Sequence, residues 1–142
     1  MPPFTIVVDT REQQPYSFDK YPVVRQKLDV GDYSILGLER RIAFERKNLD
    51  DYIQSVVKAR ERFFAEMQQL ANYEMKGILV EATLEDILQK KYTSGANPNA
   101  VFGSTTSLIV DFNIPVYFLG NRQVSRHFLE DVLLRFHKRV SK

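Results

Sequence analysis

Asp32, in the run Gly31-Asp32-Tyr33, and Glu45, Arg46 and Lys47, in the run Phe44-Glu45-Arg46-Lys47, lie on either side of a stretch that should turn near Gly37 to Arg40. A hairpin turning about Leu38 and Glu39 pairs Leu36 with Arg41, Ser34 with Ala43 and Asp32 with Glu45. Twofold alternation then puts Asp32, Glu45 and Lys47 on one face. Tyr33, Ile35, Ile42 and Phe44 take the other, apolar face; Arg46 shares their parity but sits near the strand end, where it can reach out. Two carboxylates across a strand pair repel, which raises the pKa of one of them unless a positive charge lies between. A divalent cation meets that need, and an all-oxygen donor set favours magnesium, or manganese, over zinc. Asp9, at the end of the neighbouring strand, is placed to add a third carboxylate. Lys47 suits the orientation of a water or the neutralisation of a phosphoryl oxygen. These are the parts of metal-assisted phosphodiester hydrolysis.

Each part has a structural alternative. Asp9, Arg11 and Glu12 can be polar strand-end residues, Gly31-Asp32 a turn, and Glu45 with Lys47 a solvated face. Asp51 fits a helix cap, boxed with Asn48 three residues earlier, better than it fits direct chemistry. Taken together, the residues favour a site.

The elements that must position them follow from the hydrophobic pattern. "FTIVVD" is a short buried strand broken by the polar, proline-containing "TREQQPY", so Asp9, Arg11 and Glu12 fall at or just past a strand end. After the hairpin, Ile53, Val56, Val57, Phe63, Phe64, Met67, Leu70 and Ala71 recur at the spacing of one long amphipathic helix, with Gly77 after its end. "GILVEA" is a buried strand. Thr83 opens a short helix with Asp86 placed for a capping box, and Asn97-Pro98 opens another through Leu108 and Ile109. "IPVYFL" is a further strand, and a final helix runs from Asn121. The order predicts an α/β fold with a central mixed sheet flanked by helices.

The chain of 142 residues has an ordinary 44% hydrophobic and 27% charged content, so it should fold throughout as one domain, residues 1–142. It contains no cysteine, which excludes disulfides and thiolate zinc sites and points to an intracellular protein. No segment resembles a signal peptide or a membrane span. The formal charge of +2 permits a nucleic-acid partner without requiring one.

The ordered motifs "VDTRE", "GDY" and "FERKNLDD" resemble the XPF-type structure-specific endonuclease family, whose signature is GD, a spacer, then ERK, three residues and D. Gly31-Asp32, Glu45-Arg46-Lys47 and Asp51 match it, and Asp9, Arg11 and Glu12 match the family's strand-end element. The resemblance implies a restriction-endonuclease-like fold, of the PD-(D/E)XK type. It also implies metal binding by Asp9, Asp32 and Glu45, a catalytic Lys47, and Arg11, Glu12, Arg46 and Asp51 supporting the site or holding a phosphate. The implied activity is magnesium-dependent cutting of DNA at flaps, forks and duplex/single-strand junctions, with manganese as a substitute. No tandem helix-hairpin-helix segment follows the nuclease motifs, a minimal form suited to a bacterial or phage-infected cell.

Arg60, Arg62, Lys90 and Lys91 are candidate phosphate contacts, since backbone contacts supply most sequence-independent affinity. His127 and His137 have no ligand spacing and read as surface or partly packed. In the last helix Val124, Phe128, Leu129, Val132, Leu133, Phe136 and Val140 cover about half of the circumference, with Leu134 outside that arc. Such a width fits either a helix wedged in the core or a homodimer face, and pairing through the C-terminal region is what the family resemblance implies. The competing functional reading is a catalytically silent DNA-binding or dimer-partner subunit.

Overall fold

The computed structural model describes residues 3–142. Its centre, among the described residues, is a six-stranded mixed sheet in the order β2-β1-β3-β4-β5-β6. The strands are β1 (Ile6–Val8), β2 (Val23–Arg25), β3 (Tyr33–Ile35), β4 (Ile42–Lys47), β5 (Met75–Val80) and β6 (Val116–Phe118). β3 is antiparallel to both β1 and β4, while β2 with β1, β4 with β5 and β5 with β6 pair in parallel. The helices are α1 (Leu49–Ile53), α2 (Arg60–Leu70), α3 (Leu84–Leu88), α4 (Pro98–Val110) and α5 (Arg122–Val140).

Strand alternation divides the core in two. Ala43, Ile78 and Val80 face α1, α2 and α4, packing with Tyr52, Val56, Phe63, Met67 and Leu108. Ile42, Phe44 and Leu79 face the other way, onto Leu129, Leu133 and Phe136 of α5. A sheet covered on both faces explains why its central strands read as nearly continuous apolar runs.

The predicted hairpin register is the observed one, with Tyr33 opposite Phe44. The caps also match. Thr83 and Asp86 form a complete capping box, Asn97 caps α4 ahead of Pro98, and Asn121 caps α5. Among the described residues no helix is long and apolar enough to cross a membrane.

Two expectations are corrected, and one strand is new. The long helix is broken: a π-helical turn, Gln54–Lys58, and Ala59 at φ −101°, ψ 28° separate α1 from α2. Core packing continues through that turn, where Ser55 and Val56 are buried, and the Ser104 hydroxyl of α4 donates to the Val56 carbonyl (2.7 Å), a side chain inserted into the helical ladder where it breaks. Val23–Arg25 forms its own edge strand, too short and too exposed to show alternation. Gly77 does not end a helix; it lies within β5, opposite Phe44. A Cβ at Gly77 would lie 2.8 Å from Tyr117 Cε2 and 2.9 Å from Phe44 Cε1. Gly77→Ala should therefore destabilise the protein by about 1–3 kcal/mol, the usual cost of overpacking a dense core. Urea denaturation measures this, and an unchanged midpoint would show that the two rings yield freely.

Candidate active site

Asp32 and Glu45 come together because Gly31 lets β3 approach β4 closely. Gly31 has φ +85°, a conformation side chains rarely adopt, and a Cβ there would lie 3.1 Å from the Ala43 Cβ. The Asp32 N–H donates to the Phe44 carbonyl (2.8 Å), and Asp32 Oδ2 accepts the Arg46 N–H (2.7 Å). Lys47 Nζ lies 3.5 Å from Glu45 Oε2 and over the Phe63 ring. With Arg11, Glu12, Gln14, Asn48 and Asp51 these groups line a polar cleft of about 240 Å³ at the ends of the strands. A second opening reaches the same two carboxylates from the side of Glu66 on α2.

The electrostatics carry the expected signature of crowded acids. Burial first, then the charge of Glu45, holds the Asp32 carboxyl well above the usual range. Glu45 is pushed up to about 7, chiefly by burial; Lys47 opposes the shift, and Glu66 and Glu12 reinforce it.

The VDTRE element divides its labour. Asp9 is saturated: it accepts from Arg11 N (3.0 Å), Nε (2.9 Å) and Nη2 (3.1 Å) and from Leu28 N (2.8 Å). These bonds outweigh burial, so its pKa falls. The Asp9 carboxylate, expected as a third metal ligand, clamps the β1 end and also lines the second opening with Asp32 and Glu45, while its guanidinium partner faces the cleft. Glu12 is the reverse case. Its side chain is only 7% exposed, Oε1 accepts from Gln14 N and meets Arg46 Nη1 at 3.5 Å, and Oε2 is buried with no partner.

Arg46 does not reach out from the strand end. It is buried on the α5 side of the sheet, where Nε and Nη2 hold Glu81 at 2.9 and 3.1 Å. Burial works against its charge, yet the pairing with Glu81 raises its pKa above that of free arginine. Asp51 supplies its main-chain N–H to Asn48 Oδ1 (2.8 Å), while the return half of the predicted box does not form. The Asp51 carboxylate instead lines the cleft.

Arg60 is tethered to Ser104 Oγ (3.0 Å) and stacked on Phe64, whereas Arg62 is exposed. Lys90 and Lys91 precede Thr93, whose N–H binds Asp50 Oδ1 (2.9 Å), tying that loop to the first turn of α1. His127 is exposed beside Asp131, and half-buried His137 packs on Phe4, as expected for residues outside the site. Glu81, Glu66 and Gln14 escaped the sequence reading. Glu81 ends an apolar strand like any boundary residue, and no local spacing links any of the three to the motifs.

The donor set fits a hard divalent cation. Magnesium is commonly held by one or two carboxylates, with water and substrate phosphate completing its shell. Asp32 and Glu45 supply that pair, and Glu12 lines the same cleft. Among the described residues no three acidic or imidazole side chains close into a complete cage.

A family model for the ERCC4 domain matches residues 8–132. XPF from Aeropyrum pernix superposes with a TM-score of 0.76 at 21% identity, covering 96% of this chain and 67% of that one. Its complex with DNA gives 0.69 at 20% identity, covering 96% and 66%. At that identity the match shows a shared fold, the restriction-endonuclease-like α/β architecture. A Methanocaldococcus jannaschii protein that carries the name of an ATP-dependent RNA helicase is 30% identical over 129 residues, which are 89% of this chain but 15% of that protein.

Because the folded protein holds the Glu45 proton more tightly than the unfolded chain, metal-free stability should fall as pH rises from about 4.5 to about 7. Glu45→Gln should flatten that fall and raise the melting temperature at neutral pH by about 3–8 °C. Thermal melts of both proteins in chelator across this range measure the effect, and parallel curves would show that Glu45 is not strained.

Proposed function

This chain belongs to the ERCC4 domain family, and from that premise we propose that it is a divalent-metal-dependent DNA endonuclease. Its substrates are phosphodiester bonds near flaps, forks and duplex/single-strand junctions, in repair, recombination or replication. The observation that carries this reading is a cleft in which Asp32, Glu45 and Lys47 are brought together with Glu12. Magnesium, or manganese in its place, supplies Lewis-acid stabilisation of the phosphoryl charge. Asp32 and Glu45 hold the ion, with Glu12 beside them. Lys47 orients the attacking water through its ammonium, and its contact with Glu45 fixes that ammonium in place. Arg11, exposed at the cleft edge, pairs with a non-bridging phosphate oxygen. Arg62 and the Lys90–Lys91 segment contact phosphates farther along the strand.

Asp9 and Glu12 should separate cleanly in the laboratory. Glu12→Gln lowers manganese affinity about tenfold, in the range of a lost supporting ligand, with little change in melting temperature. Asp9→Asn lowers the melting temperature and affects the metal only indirectly. Calorimetric titration beside thermal melting reads both, and the opposite pattern would restore Asp9 as the ligand.

Labelled flap, fork and plain duplex DNA, with matched RNA, incubated in magnesium, manganese or chelator should be cut only at DNA branches and only with metal. Lys47→Ala and Glu45→Ala should each reduce cutting at least about 100-fold while DNA binding persists. Wild-type binding without cutting in either metal would establish a silent binding subunit instead.

We propose a second copy of the chain as the occupant of the groove of about 510 Å³ beside α5, lined by Met75, Val132, Leu134 and Phe136. Asp131 and the basic residues Arg135 and Lys138 share its rim, so a twofold partner can match acid to base. Sedimentation should show a dimer that Leu134→Glu dissociates; a monomer at every concentration would remove this partner.

A further inference from the structure

We propose that Glu81 is a positioning residue for the cleft, held in place by the first turn of α5; this rests on the nuclease reading above. Glu81 follows β5, beside the end of β4, and is only 7% exposed. One carboxylate there collects Nε and Nη2 of Arg46, the Tyr16 hydroxyl (2.5 Å) and, at 3.7 Å, the Arg122 guanidinium.

The consequence for the cleft runs through Arg46. With Nε and Nη2 on Glu81, its Nη1 stands 3.5 Å from Glu12 Oε1 and its Nη2 3.5 Å from Gln14 Oε1. That separation keeps the grip on Glu12 loose and leaves Oε2 without a partner. A buried guanidinium deprived of its carboxylate must find another. The next one within reach is Glu12, so Glu81 keeps Arg46 from closing on a cleft carboxylate.

α5 secures this arrangement from its own side of the sheet. Ser125, fully buried on α5, lies 2.7 Å from the Tyr16 oxygen, and Tyr16 N–H donates to the Tyr33 hydroxyl (2.9 Å). The single Tyr16 proton goes to Glu81, so the Ser125 hydroxyl donates to the phenol oxygen. Arg122 Nη2 donates to the Gln14 and Pro15 carbonyls (2.9 and 3.0 Å) and lies over the Tyr16 ring. The loop that carries Glu12 and the carboxylate that aims Arg46 are thus pinned by one helical turn.

Manganese affinity of the DNA-free protein, measured calorimetrically beside melting curves, tests this. Glu81→Gln should weaken manganese binding about tenfold, no more than Glu12→Gln does, as loss of a supporting partner does. Adding Glu12→Gln should cost nothing further, because Arg46 already occupies Glu12. Ser125→Ala and Tyr16→Phe should weaken binding in the same direction by less, and they carry the test should Glu81→Gln fail to fold. Wild-type affinity in folded Glu81→Gln, wild-type affinity in both lesser variants, or fully additive losses in the double variant would each overturn the proposal while leaving the nuclease reading intact. A wild-type protein that binds no manganese would overturn both.

Discussion

The antiparallel register that sets Tyr33 against Phe44 also forces Asp32 and Glu45 onto one face of the sheet, where their charges repel. The surrounding groups answer that repulsion. Gly31 permits the close approach, the Arg46 N–H caps an Asp32 oxygen, and Lys47 stands against Glu45. What these groups leave uncompensated is the electrostatic demand that a divalent cation would meet. Burying two acids this close together costs stability, an arrangement common at functional sites.

Alternation along β4 allows one short motif to serve two faces. Glu45 and Lys47 open to the cleft, on the same side as Ala43 and the α1–α2 packing, while Arg46 turns into the α5 layer with Ile42 and Phe44. Three consecutive charges at a buried strand end are tolerable because each finds a partner on its own side of the sheet. The arrangement also makes α5 part of the site's foundation, although none of its side chains is among the groups lining the cleft.

The VDTRE element shows how equal-looking acids diverge. Asp9 lies where the chain turns back on itself, and two backbone N–H groups and a guanidinium consume its oxygens. Glu12, a few residues on, has a longer side chain that reaches past the turn into the cleft. Both fall within the matched ERCC4 domain segment, and the contrast arises from local geometry alone.

Much was legible from sequence because the signals were local. Strand alternation and one turn position placed Asp32 against Glu45 and set Lys47 on their face. The capping box at Thr83 and the Asn97-Pro98 start announced themselves by residue type and spacing. What only the tertiary structure decided were relations between distant segments. Arg46 on β4 and Glu81 just past the parallel β5 are separated in sequence by a whole helical layer, and Tyr16 and Ser125 lie far apart along the chain. Gly77 looked like a helix terminator until Phe44 and Tyr117 were packed against it, and the broken helix depended on how its middle met the core. Periodicity and capping are encoded within a few residues, whereas the sharing of one carboxylate among several donors exists only after the sheet and helices have closed around it.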